Sequence, residues 1–174
     1  MKTYDHIILG TGQAAGTLLE KLVDTGDSIA VIEESKIGGS CVNYGCTPTK
    51  ALVASARAIH MARRGDEFGF KTEKIAVDYS AITERMNAIR ENSREGLKNW
   101  IEQTDTIDLY TNKGLFVDGN TLEVNGKHLK GKHIYINTGT RPRIPEIDGI
   151  DQIDWLDSGR LLDLDELPEH LLIV

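Results

Sequence analysis

Apolar residues recur along this chain with two different periods, and the switches between them mark its elements. Tyr4 to Leu9 is a short, largely apolar run that reads as a strand. Leu18, Leu19, Leu22 and Val23 then return at helical spacing, and Gly26 closes that helix. A second strand runs from Ser28 to Ile32 and ends on Glu33. Two long helices follow. The first spans Pro48 to Arg64, with Leu52, Ala56, Ile59 and Met61 inward and Arg57, Arg63 and Arg64 on a solvated face. The second spans Tyr79 to Gln103, and its stripe Ile82, Met86, Ile89, Leu97, Trp100 and Ile101 predicts core or a subunit contact.

The last third turns to strands: Ile107 to Tyr110, Gly114 to Val117, Thr121 to Val124 and His133 to Ile136. The turns Asp118-Gly119-Asn120 and Asn125-Gly126 join the middle of this series. The run ends in Ile136-Asn-Thr-Gly-Thr-Arg-Pro142. Arg143 to Gly149 and an acidic stretch around Trp155 read as a linker. Leu167 to Val174 reads as the beginning of another strand in which the chain stops, so a fragment is expected.

Between the first two strands lies Gly10-Thr-Gly12-Gln-Ala-Ala15-Gly16. This is the dinucleotide fingerprint, with Ala15 in the third glycine's place. Gly10 allows the tight turn, Gly12 lets backbone approach a pyrophosphate, and Ala14, Ala15 and Gly16 let helix and strand pack closely. The pyrophosphate belongs on the helix N-terminus, and a carboxylate about 20 residues on accepts the ribose hydroxyls. Glu33 stands at that distance, at the end of the right strand. The fingerprint alone does not separate FAD from NAD. A simple NAD domain would continue with a short strand and helix, whereas this chain inserts Gly38 to Lys50 and the two long helices.

That insertion, Gly38-Gly-Ser-Cys-Val-Asn-Tyr-Gly-Cys-Thr-Pro-Thr-Lys50, holds both cysteines, Cys41 and Cys46, with four residues between them. A straight helix would separate them by about 7.5 Å along its axis. A disulfide wants Cα atoms within roughly 6.8 Å, so bridging needs a bend. Gly45 and Pro48 can supply it. Thr47 as N-cap and Pro48 at the first helical position predict a helix start there. Cys46 would then lie beside a positive helix end with Lys50 one turn inside, and both favour a thiolate. The spacing leaves two readings open: two reduced, buried cysteines, or a redox pair.

The chain has 174 residues, enough for one domain or slightly more. Its 20 Lys plus Arg against 27 Asp plus Glu give a net charge of −7, which argues against nucleic acid or an anionic membrane surface as partner. No apolar stretch approaches the ~20 residues of a membrane span. The N-terminus runs into a strand without room for a signal peptide, so a cytoplasmic location is expected. Two cysteines are too few for a disulfide scaffold; a disulfide here would be catalytic or sensing.

Gly10-Thr-Gly-Gln-Ala-Ala15, Val31-Ile-Glu33, the Gly38–Lys50 motif and Asn137-Thr-Gly-Thr-Arg-Pro142 together resemble the FAD-binding half of the class I pyridine nucleotide–disulfide oxidoreductases. That group includes glutathione reductase, dihydrolipoamide dehydrogenase and mercuric reductase. The likeness covers the whole chain in order. Cys46 to Arg57 and Leu161 to Val174 look closest to the mercuric-reductase-like branch, although Thr47 departs from the Val or Ile usual in better-known members.

The resemblance implies an α/β fold, a Rossmann-like FAD/NAD(P)-binding domain with a central parallel sheet, a two-helix insertion and a β-meander. Residues 1–150 would bind FAD, and 151–174 would be a linker and the first strand of an NAD(P)H-binding domain. It further implies that Gly10, Gly12 and Ala15 bind the FAD pyrophosphate and Glu33 the ribose. Gly39, Ser40 and Cys41 would line the FAD path and Lys50 would lie near flavin N5. Gly114 would contact the adenine side, with Thr138 and Gly139 returning to the flavin side. Cys41, Cys46 and Lys50 would be the catalytic residues, with Cys46 against the flavin and Cys41 meeting substrate. Electrons would pass from NAD(P)H to FAD, to Cys46/Cys41, and on to a small-molecule or metal-ion acceptor in a homodimeric parent. The rival expectation is a module that binds FAD or adenine nucleotide and senses redox state without turnover. None of His6, His60, His128, His133 or His170 sits in a catalytic motif.

Overall fold

The computed structural model describes every residue from Met1 to Val174. Its elements are β1 (Lys2–Leu9), α1 (Gln13–Val23), β2 (Ile29–Ile32), α2 (Gly39–Tyr44), α3 (Cys46–Arg63), α4 (Tyr79–Glu102), β3 (Ile107–Tyr110), β4 (Gly114–Asp118), β5 (Thr121–Val124), β6 (Lys127–Ile136) and α5 (Ser158–Leu162). The six strands form one sheet in the order β3-β2-β1-β6-β5-β4. The β3-β2-β1-β6 half is parallel and the β6-β5-β4 half antiparallel. The expected parallel sheet and meander are therefore continuous through β6.

All of β2 is buried, as its unbroken Ile-Ala-Val-Ile run requires of a strand covered on both faces. On one face α1 and α4 pack Ala15, Leu19 and Ile101 against Ile8, Ile29, Val31 and Ile107. On the other face the antiparallel half curls over the sheet. Leu122 and Val124 of β5 join Tyr4, Ile7, Ala30 and Ile32, and Gly114 sits where a Cβ would lie 2.9 Å from Leu9. The register pairs Leu9 with Ile32 and Ile136, and Ile32 with Tyr110, so the strands end at one common edge.

Several expectations need correction. β1 begins at Lys2, and β6 runs over Lys127–Ile136 rather than His133–Ile136. The added residues are mostly polar and exposed, which hides a strand from a hydrophobic pattern; only pairing with β1 and β5 reveals it. The helix α2 was not anticipated, because Gly39, Ser40 and Asn43 are weak helix formers. α3 starts at Cys46 with Gly45 before it and no side-chain cap, so Thr47 is not the N-cap. Pro48 falls in the first turn, where a missing N–H costs no helical bond. Ala56 and Met61 face solvent rather than the core, as do Arg57, Arg63 and Arg64.

In α4, capped by the Asp78 side chain accepting from the Ala81 N–H, Met86 and Ile101 are fully buried, but in different clusters. Met86 meets Ala51 of α3 and Leu162 of α5. Residues 151–163 are thus not a free linker: Asp157 caps α5 and Arg90 pairs with Asp163 at 3.0 Å. Leu171–Val174 forms no strand, since no backbone pairs with it, and Val174 is 94% exposed.

Candidate functional site

The common edge of the parallel strands, at the switch between β1 and β6, opens into a cleft of about 740 Å³. Open α/β sheets bind ligands at such an edge. Gly10 leaves β1 with φ +100°, and a Cβ there would lie 2.3 Å from the Asn137 carbonyl oxygen, so glycine is required where the two strand ends meet. Gly12 stands before α1 without a side-chain cap, and the first turn carries no acidic residue. Gln13 and Ala14 line the cleft there, and α1 presents uncapped N–H donors suited to an anion. Ala15 lies in the core instead; its contribution is the close fit of α1 on the sheet.

Glu33 is buried at the end of β2. Its Oε2 accepts from the Thr11 N–H at 2.9 Å and the Thr11 hydroxyl at 2.6 Å, and its Oε1 accepts from the Ser35 N–H at 2.9 Å. The Thr11 Oγ1 in turn accepts from the Gly38 N–H at 2.9 Å. The phosphate turn, the carboxylate and the cysteine motif are therefore one hydrogen-bonded unit.

The motif begins on two left-handed glycines, Gly38 (φ +98°) and Gly39 (φ +62°). A Cβ on Gly39 would lie 2.6 Å from the Gly12 Cα, so α2 starts in direct contact with the phosphate turn. Buried Asn43 donates its Nδ2 to the carbonyls of Ile37 and Gly39, both at 2.9 Å, and so fixes the turn from behind. The chain bends at Gly45 between α2 and α3. The bend brings the cysteines together, as two free thiols. The neighbouring Cys46 thiol, then burial, holds the Cys41 thiol above its ordinary range, with Lys50 acting weakly in the opposite sense.

Of the expected site residues, Gly10, Gly12, Glu33, Gly39, Ser40, Cys41, Gly114, Thr138 and Gly139 all line this one cleft. Cys46 and Lys50 are exposed at the start of α3 and stand outside its lining. Cys41, expected on the substrate side, is the cysteine on the cleft wall. Residues that sequence reasoning missed also line it, among them Thr11, Asn137, Tyr44, Lys113 and Asp157. Thr11, Tyr44 and Asn137 lie inside motifs already found and Lys113 beside Gly114, whereas Asp157 falls in the stretch read as a linker. No histidine is among the lining residues.

A dinucleotide fits these features. Open helix donors and glycine-lined backbone face one stretch of the cleft, with a carboxylate at one end and a thiol at the other. Gly10 to Ala14 would hold the pyrophosphate, Glu33 the ribose, and the wall from Ser40 to Cys41 would meet the far end.

A family model described as pyridine nucleotide-disulphide oxidoreductase matches residues 4–174. The mercuric reductase of Lysinibacillus sphaericus is 34% identical over 172 residues, covering 98% of this chain and 31% of that protein. The dihydrolipoyl dehydrogenase of Bacillus subtilis (strain 168) is 32% identical over 185 residues, covering 98% and 39%. Among solved structures, the HOCl-induced flavoprotein disulfide reductase RclA from Escherichia coli superposes with a TM-score of 0.79 at 31% identity, covering 95% of this chain and 35% of that one. The chain thus spans about a third of the length of such relatives. No helix is long and apolar enough to cross a membrane.

Proposed function

The chain belongs to the pyridine nucleotide-disulphide oxidoreductase family, and from that premise we propose that it is the FAD-binding, redox-disulfide part of an NAD(P)H-dependent flavoprotein disulfide oxidoreductase of the mercuric-reductase-like branch. The observation that carries the reading is the joining of an uncapped glycine turn, a buried carboxylate and Cys41, one of two neighbouring cysteines, around one cleft. Residues 1–150 supply most of the cofactor cleft, with Asp157 to Asp163 closing part of its wall, and the residues that follow lead toward an NAD(P)H-binding domain. Leu115, Phe116 and Val117 of β4, all about half exposed, are apolar surface on which further parts of a cytoplasmic homodimer would pack.

Bound FAD supplies the electron-carrying chemistry that links NAD(P)H to the cysteines. The Cys41–Cys46 disulfide takes up two electrons and two protons and becomes two thiols. The Cys41 thiolate then attacks one sulfur of a disulfide acceptor and expels the other as thiolate. Cys46 attacks Cys41 in the mixed disulfide, releases the second thiolate and restores the Cys41–Cys46 bond. A soft metal ion would instead be held by both thiolates as substrate; the names of the mercuric reductases and of a Cu(II) complex of RclA favour an acceptor of that kind. Cys46 and burial hold the Cys41 thiol above its ordinary range, so its attack as thiolate calls for a proton acceptor, and no histidine lines the cleft to serve as one.

By the family resemblance Cys46, at the head of α3, takes the cofactor side and Cys41 the acceptor side, although Cys41 is the cysteine on the cleft wall. With FAD bound near neutral pH, Cys41→Ser retains a long-wavelength absorption band from the Cys46 thiolate, and Cys46→Ser lacks it. A band that follows Cys41 reverses the roles. Full dithiol turnover in both variants would mean that the cysteine pair does not carry the reaction.

A further inference from the structure

We infer that Thr11 is a positioning residue that turns Glu33 toward a single ribose hydroxyl and couples that contact to the turn launching the cysteine-bearing helix α2. The inference rests on the reading of the cleft as an adenine-dinucleotide site and extends it to the residue that joins its two halves.

An ionised carboxylate offers about four lone-pair positions. In Glu33 three are taken: two on Oε2 by the Thr11 N–H and hydroxyl, and one on Oε1 by the Ser35 N–H. One position, on Oε1, is left for a ligand. The expectation that Glu33 holds both ribose hydroxyls therefore fails while this network stands.

The direction of the Thr11 hydroxyl follows by elimination. The Gly38 N–H can only donate, so Thr11 Oγ1 accepts from it at 2.9 Å and must send its own hydrogen to Glu33. Thr11 is 2% exposed, so water cannot substitute for either partner. Gly38 and Gly39 set the start of α2 in the left-handed region, and Cys41 lies in its first turn. A ribose hydroxyl on Glu33 holds the carboxylate in one orientation and so, through the Thr11 hydroxyl bound to it, fixes the acceptor of the Gly38 N–H. The coupling needs no contact between the ligand and either cysteine.

ADP is the suitable probe, because it carries the ribose and diphosphate but nothing that reaches the cysteines. The full chain is titrated with ADP, 2′-deoxy-ADP and 3′-deoxy-ADP, and hydrogen exchange at the Gly38 amide is followed. One deoxy analogue should bind about ten-fold or more weaker, the loss of one charge-assisted hydrogen bond, while the other stays within about three-fold. ADP should slow Gly38 exchange in the wild type and in Thr11→Ser, which keeps the hydroxyl, but not in Thr11→Val. Equal losses for both analogues, or Gly38 exchange unaffected by ADP in the wild type, overturn the inference. So does a Thr11→Val protein that responds like the wild type. If Thr11→Val does not fold, the wild-type analogue pair and the Gly38 exchange still decide. Absence of ADP binding to the wild type has a different meaning: it removes the adenine-dinucleotide reading, and the inference with it.

Discussion

Glu33 illustrates how a motif residue acquires a second role that its spacing cannot reveal. Distance from the glycine turn marks it as a ribose ligand, and substitution would then affect binding alone. In the fold it accepts from Thr11 and Ser35 while buried. Glu33→Ala leaves those donors without an acceptor, each worth about 1–3 kcal/mol when buried. We expect it to lower unfolding free energy by roughly 2–4 kcal/mol in urea titrations, in addition to weakening FAD binding by one to two powers of ten. Loss of affinity with unchanged stability would mean that the network is dispensable. Thr11 was illegible for the opposite reason: any small residue suits the middle of Gly-x-Gly, and its partners lie 22 and 27 positions away. The cysteines carry a pH prediction at the same scale. Cys41 is held above its ordinary range chiefly by Cys46, so its thiolate forms only at higher pH than that of a free cysteine. Cys46→Ala removes that cause, and the alkylation profile of Cys41, followed by peptide mapping, should move to lower pH. A profile that stays in place or rises would contradict the coupling.

At the scale of elements, the strand–helix–strand start was legible because apolar period, glycine turn and acidic strand end agree. The helix pair α2–α3 was only half legible. A bend at Gly45 was expected, but Gly-Ser-Cys-Val-Asn-Tyr lacks helical propensity, and Thr47-Pro48 imitates a cap two positions too late. What makes α2 a helix is tertiary: Asn43 ties its start to Ile37 and Gly39, and Arg90 of α4 donates to the Asn43 carbonyl at 3.3 Å. The tightest point is Gly39, left-handed and in contact with Gly12. Gly39→Ala should therefore separate α2 from the phosphate turn and lower the melting temperature by several degrees, about 2–4 °C for each kcal/mol in a chain of this size. It should also abolish tight FAD binding. A variant with wild-type melting and affinity would show that the two turns are not locked together.

At the scale of the whole molecule, topology follows from burial: β2 is apolar throughout and takes a central place, while the polar-flanked β4 takes an edge. The continuity of parallel and antiparallel halves was not legible, because Lys127 to Lys132 shows almost no apolar pattern to mark it as strand. Nor was the docking of α5, which depends on one buried leucine, Leu162, meeting Ala51 and Met86 far away in sequence. These long-range contacts hold α3, which Cys46 heads, beside the cleft that Cys41 lines, and the central claim concerns that arrangement: one site would hold FAD and a dithiol that exchanges electrons with it. The most direct measurement is an anaerobic reductive titration of the FAD-saturated protein in its disulfide form, beside Cys41→Ser. The wild type should take up about four electrons per bound FAD, about two of them belonging to the Cys41–Cys46 couple, and Cys41→Ser about two. Uptake of about two electrons by both proteins would contradict it.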